Sequence, residues 1–228
     1  MLFEEAGSLL QRYEVAADAG FKCIEISSPY GVEAEQLRDV QEKLGLELVQ
    51  INSPPAGMTP TDVPRVQSEQ VFVENLTFAA KRLAEEGIIC LIEPLNRHTV
   101  PGYFLSSYEQ ALGYLQTIKQ PNLKIQLDTF HTQCICGQLT KTIKDLSQHI
   151  GHVQVAQVPD RHEPHSSGEI NYDYVFKLLQ DTGYDGFIGA EYIPEKSTTA
   201  GLGWIDKYGL SQINPPVFVT AAAAVVDS

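Results

Sequence analysis

The sequence is short of basic charge, of paired cysteine motifs and of long apolar runs, and each shortage removes a class of function. Sixteen Lys and Arg stand against 29 Asp and Glu, a net charge of −13. A surface of that sign repels phosphate backbones and anionic lipid on average, so neither nucleic acid nor a membrane is expected as a partner. The four cysteines, Cys23, Cys90, Cys134 and Cys136, form no Cys-x-x-Cys pair of the zinc-site kind. They read as reduced, buried thiols of a cytoplasmic protein. No apolar run approaches the roughly 20 residues that span a bilayer. The opening MLFEEAGSLLQRYEVAADAG is acidic and helix-like, where a signal peptide is basic and then apolar.

What is present is a regular alternation. Short runs rich in β-branched residues read as strands: FKCIEIS (21–27), LELVQIN (46–52), IICLIEPLN (88–96), LKIQLD (123–128), HVQVAQ (152–157) and GFIGAEY (186–192). Between them lie segments with helical spacing at 32–43, 66–86, 106–118 and 172–179, with Ser107 as an N-cap and Asp181-Thr182-Gly183 as a turn. Such alternation implies βαβ units and a parallel sheet covered on both faces. A doubly wound sheet and a (β/α)₈ barrel both satisfy it, but no Gly-rich phosphate loop follows the first strand. A chain of 228 residues suits one large domain, taken here as 1–210. Residues 211–228 (SQINPPVFVTAAAAVVDS) read as a low-complexity, poorly ordered tail, and the proline-rich 53–64 (SPPAGMTPTDVP) as a loop.

The strands end in polar groups: Glu93, Asp128, Gln154 and Glu191. A carboxylate in an apolar strand is costly unless paired or ligated. Barrel enzymes place their chemistry at these strand ends. Three carboxylates and an amide oxygen suit a hard divalent ion, Mg²⁺ or Mn²⁺. The bland alternative is a set of buried ion pairs, which weakens because Lys124 is the only basic residue within those four runs and stands at the start of its strand. His131 follows Asp128 in what reads as a strand-to-helix loop. The loop 158–169 carries Arg161, His162, Glu163 and His165, of which Arg161 suits a carboxylate substrate. His162 and His165 read as exposed loop, His98 and His149 as surface, and His152 as packed at its strand's start.

Taken together, LIEPLN, PNLKIQLDTFH, GHVQVAQVPDRHEP with GEINY, and GYDGFIGAEY resemble the hydroxypyruvate isomerase family in order and spacing, as do INSPP and VFVENL. The resemblance covers residues 21–208. It implies a divalent-metal barrel of the xylose isomerase-like kind, interconverting hydroxypyruvate and 2-hydroxy-3-oxopropanoate through an enediolate. Glu93, Asp128, Gln154 and Glu191 would be the metal ligands, with Glu93 and Glu191 also the acid/base pair. His131 and Arg161 would hold a small hydroxy-keto acid.

Measured against that family's eight strands, six are expected here, with the first and fourth missing and a join near Pro55-Ala56-Gly57. On that count the sheet falls into a two-strand and a four-strand piece with raw edges, a liability for aggregation. Three readings therefore stand: a working isomerase, a homo-oligomer being one way to supply missing strands; an inactive or unstable variant; or a related barrel, such as a sugar epimerase or, least favoured by charge, a metal-dependent endonuclease.

Overall fold

The computed structural model describes residues 2–54 and 65–210 and the backbone of 218–222. Seven strands follow in chain order: β1 (Cys23–Ile26), β2 (Glu47–Ile51), β3 (Cys90–Ile92), β4 (Leu123–Asp128), β5 (Ile150–Val155), β6 (Ile188–Ala190) and β7 (Phe218–Ala222). The helices are α1 (Leu9–Asp18), α2 (Ala34–Leu44), α3 (Arg65–Glu85), α4 (Tyr108–Ile118), α5 (Thr129–Cys136), α6 (Leu139–Leu146), α7 (Tyr172–Asp181), α8 (Thr198–Gly201) and α9 (Gly203–Lys207). Among the described residues, no helix is long and apolar enough to cross a membrane.

The chain forms two compact units, one of Met1–Pro55 with Gln154–Ser228 and one of Ala56–Val153. In the first unit, Ser8 opens α1 with a capping box. Its hydroxyl accepts from the Gln11 N–H, and the Gln11 side chain accepts from the Ser8 N–H at 3.0 Å. Gly45, at φ 64°, ends α2 in the left-handed conformation that suits a residue without a Cβ. Strand β1 is wholly buried and pairs in parallel with β2 and β7, and β7 pairs in parallel with β6. The order within this unit is β2-β1-β7-β6. Trp204, Tyr192 and Tyr172 fill the core, and the Trp204 indole N–H donates to the Tyr192 hydroxyl at 3.1 Å.

In the second unit, β3 and β4 pair in parallel, with Cys90 opposite Leu123. The Asn122 amide donates to the carbonyls of Ala80 and Ile88, tying the end of α3 to the entry of β3. Ser107 caps α4 as expected, accepting from the Gln110 N–H at 3.1 Å. Phe72, Phe104 and Tyr114 pack together beside α3 and α4, with ring centroids 4.9–6.4 Å apart.

Three expectations change. Among the described residues there are seven strands where the sequence suggests six, because Phe218–Ala222 lies within the segment read as a tail. Its sequence, FVTAA, is uncharged and partly β-branched, which suits a parallel strand. It stands between β1 and β6, so those two strands are not left as edges facing a gap. His131 sits in the first turn of α5 and not in a loop, because Asp128 ends β4 and caps α5 at once. Of the cysteines, Cys23 and Cys90 are buried, whereas Cys134 is half-buried and Cys136 exposed, since both lie on the short helix α5. Burial pushes the Cys23 thiol up to about 11, with the Glu47 carboxylate adding to it. The expected join near residue 55, and tail residues 211–217 and 223–228, lie outside the described residues.

Candidate active site

The second unit gathers Glu93, Asp128 and His131. One ligand atom from each lies within 4.8 Å of the others. Glu93 follows β3 directly, Asp128 closes β4, and His131 is brought in by the turn that Asp128 caps. The Asp128 Oδ1 accepts from the Phe130 N–H at 2.8 Å, while its Oδ2 stands 3.8 Å from the His131 Nε2. Both Asp128 and His131 are fully buried. Behind them, the Tyr108 hydroxyl and the Thr132 hydroxyl lie 2.6 Å apart. Burial raises the Tyr108 phenol well above its ordinary range, and the charges of Asp128 and Glu93 add to the shift.

The protonation of His131 follows from its partners. The Asn96 backbone N–H donates to Nδ1 at 3.0 Å, and a backbone amide can only donate. The Asn96 side chain agrees. Its oxygen accepts from the N–H groups of His98 and Thr99, which turns its NH₂ toward Nδ1 at 2.8 Å. With Nδ1 accepting, the proton of the neutral ring is on Nε2, the nitrogen that stands 3.8 Å from the Asp128 Oδ2. An Nε2–H donates hydrogen bonds and does not ligate a metal. His131 thus suits a substrate oxygen, and Glu93 and Asp128 are the hard oxygen donors of this cluster, of the type that Mg²⁺ or Mn²⁺ takes.

The first unit holds Gln154, Glu191 and Arg161. Gln154 lies buried on β5, and its amide nitrogen donates to the Glu25 Oε1 at 3.0 Å. Glu191 follows β6 and accepts from the Arg161 guanidinium at 2.7 Å, both side chains being about one-fifth exposed. Arg161 itself adopts φ 57°. Its carbonyl accepts from the Ile193 N–H at 2.7 Å, and the His162 Nδ1 lies 2.8 Å from the Ile193 carbonyl. The buried Glu163 accepts from the Glu195 N–H with both oxygens at 3.2 Å. The loop after β5 is therefore fastened to the segment after β6, and Arg161 is engaged with Glu191. His165 is exposed and His152 buried, as read from the sequence.

Three residues here were given no role by the sequence reading. Asn96 ends the run IICLIEPLN but offers no charge to draw attention. Glu163 sits in a loop dense with other polar groups. Glu25 is a carboxylate inside an apolar strand, the same signal that drew attention to Glu93 and Asp128.

Residues 55–208 match the family model described as xylose isomerase-like TIM barrel. The chain belongs to that family, in its hydroxypyruvate isomerase group. It is 35% identical to hydroxypyruvate isomerase of Escherichia coli over 91% of this chain and 96% of that protein. It is 33% identical to 2-oxo-tetronate isomerase of Cupriavidus necator over 91% and 95% of the respective chains. A crystal structure of a Brucella melitensis protein, titled AP endonuclease, family 2, superposes with TM-score 0.85 and 33% identity, covering 91% of this chain and 95% of that one. At 18% identity, an Escherichia coli 3-keto-D-glucoside 4-epimerase superposes with TM-score 0.74, a likeness of fold alone.

Proposed function

We propose that the chain is a sugar-type isomerase that interconverts hydroxypyruvate and 2-hydroxy-3-oxopropanoate with the help of Mg²⁺ or Mn²⁺. The observation that carries this reading is the gathering of Glu93 and Asp128 beside an Nε2-protonated His131. The names of the two enzyme relatives agree with it. Glu93, Asp128, Gln154 and Glu191 are the proposed ligands. When bound, the ion supplies Lewis-acid stabilisation of the charge that develops on the substrate oxygens.

The reaction takes one proton from C3 of hydroxypyruvate and returns one to C2, while O3 gives up its hydroxyl proton and O2 gains one. We assign that transfer to the carboxylates of Glu191 and Glu93. The His131 Nε2–H donates to a substrate oxygen, and Arg161 faces the substrate carboxylate while holding Glu191 in place. The substrate is then a small hydroxy-keto acid, and a cytoplasmic setting belongs to the same proposal. A polyanionic nucleic acid, the substrate class that the name of the Brucella protein suggests, is disfavoured by the charge of −13.

The test is turnover of hydroxypyruvate by the purified chain with Mn²⁺, beside calorimetric titration of Mn²⁺ into the parent and Asp128→Asn. The asparagine keeps an oxygen for the α5 cap, so a loss of Mn²⁺ affinity in a variant of unchanged melting temperature reports the ligand role. Turnover of an uncharged ketose but not of hydroxypyruvate would replace this reading with the epimerase.

A further inference from the structure

Glu25 is a buried carboxylate that the proposed reaction leaves without a task. It lies on β1, 2% exposed, with an anion's cost of burial to offset. Its Oε1 accepts from the Gln154 Nε2 at 3.0 Å. Beside both runs Gly189 of β6. A Cβ built there would stand 2.4 Å from the Glu25 Oε1 and 2.9 Å from the Gln154 Cγ. Gly189 does not have a positive φ, so the backbone does not require a glycine. The space does. A glycine inside a strand weakens it, and this one marks the close approach of a carboxylate and an amide across β6.

The pairing also has a direction. An ionised carboxylate can only accept, so it selects the nitrogen face of an amide. The carbonyl oxygen of Gln154 is thereby turned to the other side of the group. A glutamine offered to a hard cation binds only through that oxygen, and an amide free to rotate presents the wrong atom part of the time. We propose that Glu25 is a positioning residue: it locks the Gln154 amide with its oxygen directed to the ligand side, in a slot kept open by Gly189. This rests on the proposed role of Gln154 as a metal ligand. Partners that orient a ligand in this way are commonly worth about 10- to 100-fold in metal affinity.

The experiment is calorimetric titration of Mn²⁺ into the metal-free full chain and its Gln154→Ala, Glu25→Gln, Gln154→Glu and Glu25→Gln/Gln154→Glu variants. Gln154→Ala tests the ligand role alone, and an affinity equal to the parent's would overturn that reading and with it the proposal. Glu25→Gln lets residue 25 donate to the Gln154 oxygen and turn the amide over, so Mn²⁺ affinity is expected to fall by about 10- to 100-fold. A carboxylate at 154 presents oxygen whichever way it turns. In the Gln154→Glu background the same Glu25→Gln change should therefore cost nothing, or should tighten binding by removing two facing carboxylates. Loss of equal size in both backgrounds would mean that Glu25 supports the strand and not the ligand, and would overturn the proposal. So would an unchanged affinity in Glu25→Gln together with a weakened Gln154→Ala. A further readout needs no change at Glu25. In the parent protein the Gln154 side-chain NH₂, assigned by its disappearance in Gln154→Ala, should exchange slowly with solvent. Rapid exchange would show an amide that nothing holds.

Discussion

Glu191 in one unit and the Glu93–Asp128 pair in the other are acidic strand ends of the same kind, yet their neighbours differ. Glu191 meets Arg161, a cation at every pH the protein will see. Glu93 and Asp128 gather beside a neutral imidazole, whose proton is placed on Nε2 by the Asn96 backbone. An ion pair about one-fifth exposed can serve as a hinge between loop and strand end. A corner of the buried Asp128, the half-buried Glu93 and a neutral donor has gathered negative charge with a proton beside it. The first arrangement suits a group that must stay oriented while a proton comes and goes, and the second suits a cation site with a substrate donor at its rim.

The largest effect that would test this contrast belongs to Glu191. Glu191→Gln keeps a hydrogen-bond acceptor for Arg161 and an oxygen for an ion, but removes the basic group. The drop expected in kcat is about 10²- to 10⁴-fold, with Mn²⁺ affinity largely kept. Steady-state kinetics on hydroxypyruvate together with Mn²⁺ titration decide it. A variant that keeps most of the parent rate would remove Glu191 from proton transfer and reduce its ion pair to loop support.

Arg161→Ala should have a smaller and more selective effect. If the guanidinium also reads the substrate carboxylate, KM for hydroxypyruvate rises well above any change in KM for an uncharged ketose. Loss of equal size on both substrates, carried in kcat, would assign Arg161 to Glu191 alone. The contrast between the two regions would then sharpen, one holding a catalytic pair and the other a binding corner.

What the sequence revealed of all this depended on whether a signal was periodic or local. Six strands and the α4 cap at Ser107 were legible because apolar runs and an N-cap residue are short-range patterns. Phe218–Ala222 was not, since FVTAA stands beside an alanine-rich run that reads equally well as helix, and its pairing with β1 is a long-range fact. The helix α5 was hidden because TFHTQCIC has little helical propensity and is started by the Asp128 side chain. At the site, residue types pointed to Glu93, Asp128, Gln154, Glu191 and His131, but the pairings of Glu25 with Gln154 and of Asn96 with His131 became visible only through distances. Arg161 shows the limit most plainly. A guanidinium in a polar loop suits a substrate carboxylate and a protein carboxylate equally well, and the structure gives it the second.

The smallest effects separate two residues of the loop after β5 that the sequence treats alike. Glu163 is buried, accepts from the Glu195 N–H with both oxygens, and lies so close to Gly201 that a Cβ there would meet its Oε1 at 2.1 Å. His165, two residues on, is exposed. Glu163→Ala leaves the Glu195 N–H without the carboxylate and opens space beside α8, so a loss of about 1–3 kcal/mol is expected in urea unfolding. Because the loop also presents Arg161 to Glu191, kcat should fall with it. His165→Ala should change stability by no more than about 0.5 kcal/mol and leave turnover near that of the parent. A sizeable loss of activity in His165→Ala at unchanged stability would reveal a substrate contact made by an exposed histidine. In that case the loop would bind substrate through more than Arg161, and the contrast between an ion-pair hinge and a cation corner would be too simple.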